Sequence, residues 1–225
     1  MIERIKIFIY TSFKIYFWGT NPKYYAKCGR NVDLFGPLNL DPSRVVMEDY
    51  TRLQPGIRMI SAGGKLIVRK FSAIGADTLI VPGSHIPTVG LPQYLSMAHV
   101  NDTETTIVVE EDCWIGARSI LLSHCHIGRG SIVAAGSIVT KEILPYSVVA
   151  GCPAKLVAVR FGIDQILEHE HILYPESERY TRAELERIFN EHFQGKKTLG
   201  VNNIPQETRE ELFIKLKEKG IATYE

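Results

Sequence analysis

An all-β solenoid with three-sided coils is the fold class that this sequence predicts. Residues 113 to 142 fall into five consecutive six-residue units: CWIGAR, SILLSH, CHIGRG, SIVAAG and SIVTKE. The third position of every unit is aliphatic (Ile115, Leu121, Ile127, Val133, Val139), and the first is small (Cys113, Ser119, Cys125, Ser131, Ser137). A period of six fits neither an α-helix nor a simple alternating strand. It fits a triangular coil in which each unit forms one side and three units complete a turn. The aliphatic residue then fills the interior and the small residue lets the chain turn a corner. Gly116 and Gly128 relieve crowding beside it.

In chain order, residues 1–30 come first as an N-terminal helical, apolar segment. The stretch MIERIKIFIYTSFKIYFW is interrupted by Glu3, Arg4, Lys6 and Lys14. It is too short and too charged to predict a membrane span, and no small-residue cleavage pattern follows it. It reads either as a helix packing its apolar side on the first coils or as an interfacial helix, with peripheral membrane association through residues 1–18. The solenoid is expected over residues 31–160, with NVDLFG, VVMEDY and GIRMIS as irregular early rungs. Val68, Ile74 and Ile80 keep the interior spacing, with Ser72, Thr78 and Ser84 in the small position. The phase then breaks, and residues 86–106 are expected as an extruded loop, rich in turn residues and of a length that is usually functional.

Residues 161–225 change character. FGIDQILEHEHILYP, YTRAELERIFNEHF and PQETREELFIKLKEKG carry apolar residues at helical spacing. Thr181 with Glu184 forms a capping-box pattern, and Gly220 is a stop signal. These helices are expected to cap the open end of the solenoid, whose last rung otherwise exposes edges and core.

The chain has 225 residues, is 45% hydrophobic and carries a formal charge of +1. It is long enough for one core with appendages, and no basic excess points to nucleic acid. Of the four cysteines, Cys113 and Cys125 fall at inward repeat positions, and Cys28 and Cys152 complete no disulfide framework. A reducing, cytoplasmic location is expected.

The repeat, the loop and the segment VTKEILPYSVVAGCPAK together resemble the hexapeptide-repeat acyltransferases, in the branch of galactoside, maltose and streptogramin acetyltransferases. The resemblance spans about Gly56 to Arg160, and CWIGA, AAGSIVTKEI and VVAGCPAK carry it most specifically. It implies a left-handed parallel β-helix, a homotrimer, and an acetyl-CoA site between neighbouring coils. It also implies a catalytic histidine where the coil gives way to the loop, a place held here by His85 in Gly83-Ser84-His85. An imidazole, with an unperturbed pKa of about 6.5, suits removal of a hydroxyl proton at neutral pH. Direct transfer needs no enzyme nucleophile, in keeping with the absence of a Gly-x-Ser-x-Gly elbow.

For acetyl-CoA as acyl donor, the resemblance implies a pantetheine groove along Trp114, Ala117 and Ala135. It implies contacts from Thr140, Lys141 and Lys155 near the phosphates. The family's second basic position, three residues past Lys155, is Ala158 here, with Arg160 nearby as a substitute. The acceptor pocket would draw on Gln54, Arg58, Gln93 and Tyr94. Asp102, Glu104 or a backbone carbonyl would orient His85.

No metal site is expected. Cys125 points inward while His124 and His126 point outward, so the three do not converge on one ion. His99 is noted only as a loop residue. The apolar N-terminus and the helical C-terminus resemble acetyltransferases of capsule or lipopolysaccharide assembly. The expected function is therefore O-acetylation of a sugar or surface-polysaccharide precursor. The alternatives are N-acetylation of a nucleotide-linked amino sugar, xenobiotic acetylation, a non-catalytic scaffold, and a gamma-type carbonic anhydrase using His85, His124 and His126.

Overall fold

The computed structural model describes residues 2–60, 63–202 and 204–221, with the side chains of Ile2 and Glu104 outside that description. The chain divides into two compact units, Met1–Leu156 and Val157–Glu225.

The first unit is built from three parallel sheets that the chain visits in a fixed cyclic order. One sheet contains Lys27–Cys28, Val45–Met47, Lys65–Val68, Thr106–Val109 and His126–Ile127. The next includes Asp33–Leu34, Arg52–Leu53, Ala73–Ile74, Trp114–Ile115, Ile132–Val133 and Ser147–Ala150. The third contains Arg58–Met59, Leu79–Val81, Ile120–Leu122 and Ile138–Val139. Trp114 pairs with Ile132, and Ile120 with Ile138, each eighteen residues on. Three six-residue units therefore make one turn. The coil begins at Lys27, slightly ahead of the expected Asn31, because Lys27 and Cys28 already pair with Val46 and Met47.

The interior positions behave as the repeat dictates. Val68, Ile74, Ile80, Ile115, Leu121, Ile127, Val133 and Val139 are fully buried. Each such side chain contributes about 1.5–3 kcal/mol over its exposed state. The small residues have a second role. The hydroxyls of Thr78, Ser119 and Ser131 donate to the carbonyls of Gly75, Gly116 and Leu144 at 2.7–2.8 Å. Buried carbonyls at the corners thus find partners. Before every small position except Ser84, where the loop leaves the coil, a residue turns the corner with positive φ: Phe71, Asp77, Asp112, Arg118, His124, Gly130 and Gly136. For a non-glycine residue this costs roughly 1–2 kcal/mol.

The glycine that follows an interior residue is held by close coil-to-coil approach. A Cβ on Gly116 would lie 2.4 Å from the Ala135 nitrogen, and one on Gly128 would lie 2.6 Å from the Pro145 nitrogen.

The N-terminal helix α1, Ile2–Phe13, departs from the expectation that it packs its apolar side on the first coils. Ile5, Ile7, Phe8, Ile9, Tyr10 and Phe13 all stand exposed. Beyond α1 the segment is tied to the coil: the Leu38 amide donates to the Ile15 carbonyl and the Tyr25 hydroxyl to that of Gly19. Among the described residues, no helix is long and apolar enough to cross a membrane.

The second unit has helices α2 (Ile163–Leu173), α3 (Arg182–His192) and α4 (Gln206–Glu218) where the periodicity predicts them. Ile166, Tyr174, Leu185 and Phe193 are buried. Thr181 and Glu184 form the reciprocal cap at the start of α3. Gly220 takes φ 67° just beyond α4.

Candidate active site

The extruded loop is anchored at both ends, which is what positions its chemistry. Gly83–Ser84 leaves the coil and pairs antiparallel with Thr103–Glu104 on the way back. The Thr105 amide and hydroxyl both donate to the Pro82 carbonyl, at 2.8 and 2.9 Å. Ser84 is tied to the next coil through a 2.7 Å contact between its hydroxyl and that of Ser123. His85 follows the outgoing strand and Asp102 precedes the returning one, so strand pairing alone brings them together. The loop is also more ordered than the turn-rich sequence implies, since Gln93–Ala98 forms helical turns.

His85 Nδ1 lies 2.7 Å from Asp102 Oδ2, and His99 Nδ1 lies 2.8 Å from the same oxygen. The Ile86 amide donates to Asp102 Oδ1 at 3.3 Å. The imidazole rings stack with centroids 5.6 Å apart and 27° between planes. The hydrogen bond from His99, joined by that from His85, holds the Asp102 carboxyl below the usual carboxylate range. An ionised carboxylate only accepts, so each Nδ1 is the donor and each Nε2 of a neutral ring keeps its lone pair. For His85 this is the arrangement a general base requires.

Both rings and Asp102 line a cavity of about 580 Å³. Ile60, Val81 and Met97 give it an apolar wall, and Ser84 and Thr103 stand beside the imidazoles. Gln54, Arg58, Gln93 and Tyr94 are not among its lining residues. Gln54 is half-buried in the coil and the other three are exposed. The Glu104 side chain lies outside the described part of the structure.

The residues expected to hold the acyl donor occupy successive turns. Trp114 is exposed on its strand, between Ala73 and Ile132. The Gly136 amide donates to the Ala117 carbonyl at 2.9 Å, which stacks Ala117 and Ala135 on adjacent turns. The Ala154 amide donates to the Ile138 carbonyl at 2.8 Å, and the side chains of Thr140, Lys141 and Lys155 are all exposed. Arg160 belongs to the second unit, with its guanidinium 4.8 Å from the Phe161 ring.

Two of the three histidines of the carbonic-anhydrase alternative are engaged separately: His126 Nε2 meets Glu110 Oε1 at 2.7 Å, whereas His85 meets Asp102. Among the described residues, the set that brings metal-ligating atoms together shares only His85 with those three. His85, His99 and Asp102 place theirs within 4.8 Å of one another. The sequence signal for this was weak: a histidine and an aspartate three apart, without any repeat to align them with His85.

Residues 106–141 match the family described as bacterial transferase hexapeptide (six repeats). Those residues hold the most regular part of the six-residue repeat. Over 115 residues this repeat chain is 34% identical to a chloramphenicol acetyltransferase of Morganella morganii, covering 45% of this chain and 55% of that one. A chloramphenicol acetyltransferase of Agrobacterium fabrum is 37% identical over 117 residues, with the same coverage. The chain thus spans about half the length of the curated relatives it matches. Among solved structures, a hexapeptide-repeat acetyltransferase from Vibrio cholerae aligns with TM-score 0.55 at 23% identity, covering 61% of this chain and 76% of that one. A galactoside acetyltransferase in complex with coenzyme A aligns at 0.53 and 18%, covering 71% and 74%. These structural likenesses carry the fold.

Proposed function

We propose that this chain is an acetyl-CoA-dependent O-acetyltransferase acting by direct transfer on a hydroxyl of a sugar or surface-polysaccharide precursor. The observation that carries this reading is the Asp102-held His85 on the wall of an acceptor-sized cavity, where the hexapeptide coil gives way to the loop.

His85 Nε2 takes the hydroxyl proton as the acceptor oxygen attacks the thioester carbonyl. The tetrahedral intermediate collapses to the acetyl ester and expels the coenzyme A thiolate, which takes the proton from the imidazolium. Asp102 stabilises that imidazolium and fixes its tautomer. Trp114, Ala117 and Ala135 would flank the pantetheine arm. Thr140, Lys141 and Lys155 would serve the phosphates, with each lysine acting as a point charge. Gln54, Arg58, Gln93 and Tyr94 are proposed to meet the acceptor. In this reading the coil is left-handed, three chains assemble, and each acyl-donor groove lies between neighbouring coils.

We read α1 as an interfacial helix. Ile5, Ile9, Phe13 and Tyr16 recur at helical spacing and are all exposed, with Arg4, Lys6 and Lys14 as accompanying cations.

A second reading, acetylation of a xenobiotic with an apolar body, is favoured by the Ile60, Val81 and Met97 wall and by the likeness to chloramphenicol acetyltransferases. Both readings share the chemistry and differ in the acceptor.

The test is calorimetric titration of acetyl-CoA into wild type and His85→Ala, followed by thiol release with methyl glycosides and chloramphenicol as acceptors. Both proteins should bind acetyl-CoA, while the variant transfers roughly 10²-fold or more slowly. Failure of wild type to bind acetyl-CoA would sink the transferase reading, and the preferred acceptor decides between sugar and xenobiotic.

A further inference from the structure

The transfer reaction needs one base and one group to orient it, and His85 with Asp102 supplies both. His99 remains unused, yet it is bound to the same carboxylate oxygen. We propose that His85, His99 and Asp102 form a Zn²⁺ site, and that zinc bound there holds acetyl transfer off. The inhibitory part rests on His85 being the general base; the binding part does not.

The donor set argues for this ion. Two imidazole nitrogens with one carboxylate oxygen suit zinc, whereas magnesium and calcium favour oxygen donors throughout. The geometry is close to what zinc takes. Nδ1 of each histidine is already 2.7–2.8 Å from Asp102 Oδ2, and the three ligand atoms lie within 4.8 Å of one another. Tetrahedral zinc with bonds of about 2.0–2.1 Å separates its ligand atoms by about 3.3 Å, so each histidine–aspartate contact opens by roughly half an ångström to admit it. The Ile86 amide donates to Oδ1 and so turns Oδ2 toward the two imidazoles, an outer contact of the kind that fixes metal ligands. The three ligands line the cavity, so the fourth coordination position faces it.

The consequence follows from proton positions. A neutral imidazole that gives its Nδ1 lone pair to zinc carries its proton on Nε2 instead. No proton is gained or lost by the ring, but His85 Nε2 changes from acceptor to donor. It then cannot take the proton of the attacking hydroxyl. Zinc occupancy and base catalysis exclude each other at the same side chain.

The experiment uses the full chain, stripped by chelation and titrated with Zn²⁺ in competition with a chromophoric chelator. Wild type, His99→Ala and Asp102→Asn are compared, with circular dichroism confirming that each is folded and Mg²⁺ as the control cation. One zinc should bind per chain, at least ~10-fold more weakly in either variant, and Mg²⁺ should not compete. No binding to wild type at ~0.1 mM zinc, or equal binding in all three proteins, overturns the site.

Thiol release is then followed with and without zinc. Wild type should slow at least ~10-fold and recover with EDTA, with His99→Ala losing that sensitivity. A wild-type rate that is unchanged or raised at saturating zinc overturns the inhibitory role. Absence of transfer by the metal-free protein counts against the transferase reading, and the zinc titration still decides the site.

Discussion

Asp102 receives two imidazoles on one oxygen and a backbone amide on the other, and its ionised state fixes the tautomers on which the proposed chemistry depends. Residues elsewhere in the first unit are as sharply set by their surroundings. Burial pushes the Cys125 thiol up to about 11, and its sulfur packs against the Val139 carbonyl inside the coil. Cys152 is exposed. Alkylation of the native protein at pH 8 should therefore label Cys152 while sparing Cys125 and Cys113 until denaturant is added; peptide mapping reads the difference.

Asp49 is a second case. The Arg30 amide and guanidinium both donate to it at 2.7–3.0 Å, and those hydrogen bonds hold its carboxyl below the ordinary range. A folded-state pKa below the unfolded one contributes stability at pH values above the unfolded pKa. That contribution is lost as pH falls through the folded value. Urea unfolding from pH 6 down to pH 3 should show Asp49→Asn less stable at the upper end, with the gap from wild type closing on acidification. Because the pair is largely exposed, the gap should be small.

At the level of elements, the strands that repeat from turn to turn are only two to four residues long, too short to stand alone. Stacking at the spacing of one turn makes them stable. That spacing leaves no room for a Cβ where glycine follows the interior residue. Gly116→Ala drives a methyl to within 2.4 Å of the Ala135 backbone and should cost roughly 1–3 kcal/mol in equilibrium unfolding. At Gly136, where nothing lies within 4 Å of the added atom, alanine meets no clash, and its cost should be confined to the positive φ of 72°. A Gly116→Ala protein as stable as wild type would refute the close-stacking account. The extruded loop obeys a different rule. Its place comes from the pairing of Gly83–Ser84 with Thr103–Glu104, a contact that no six-residue period encodes.

For the whole molecule, the proposed trimer predicts a sedimenting species of three times 25.3 kDa. Removing residues 1–18 should leave three chains in the species, at a correspondingly lower mass, since the apolar residues of α1 stand exposed. It should abolish flotation with vesicles containing anionic lipid. If the full chain itself fails to float with them, the interfacial reading of α1 is wrong.

The sequence by itself determined the coil. Strict six-residue spacing of Ile115, Leu121, Ile127, Val133 and Val139 leaves a chain of L-residues one economical way to bury them, and the helical periods after Arg160 are equally local signals. The break in the repeat is as legible, and the resemblance to hexapeptide-repeat acyltransferases singles out His85 beside it. Only the tertiary structure decided what His85 meets. Asp102 and His99 lie seventeen and fourteen residues further along an aperiodic loop, and they arrive through hydrogen bonds between its two ends. Burial patterns write themselves into sequence because every turn repeats the same interior. A single convergence of two imidazoles on one carboxylate has no period, so it appears only when the chain has closed.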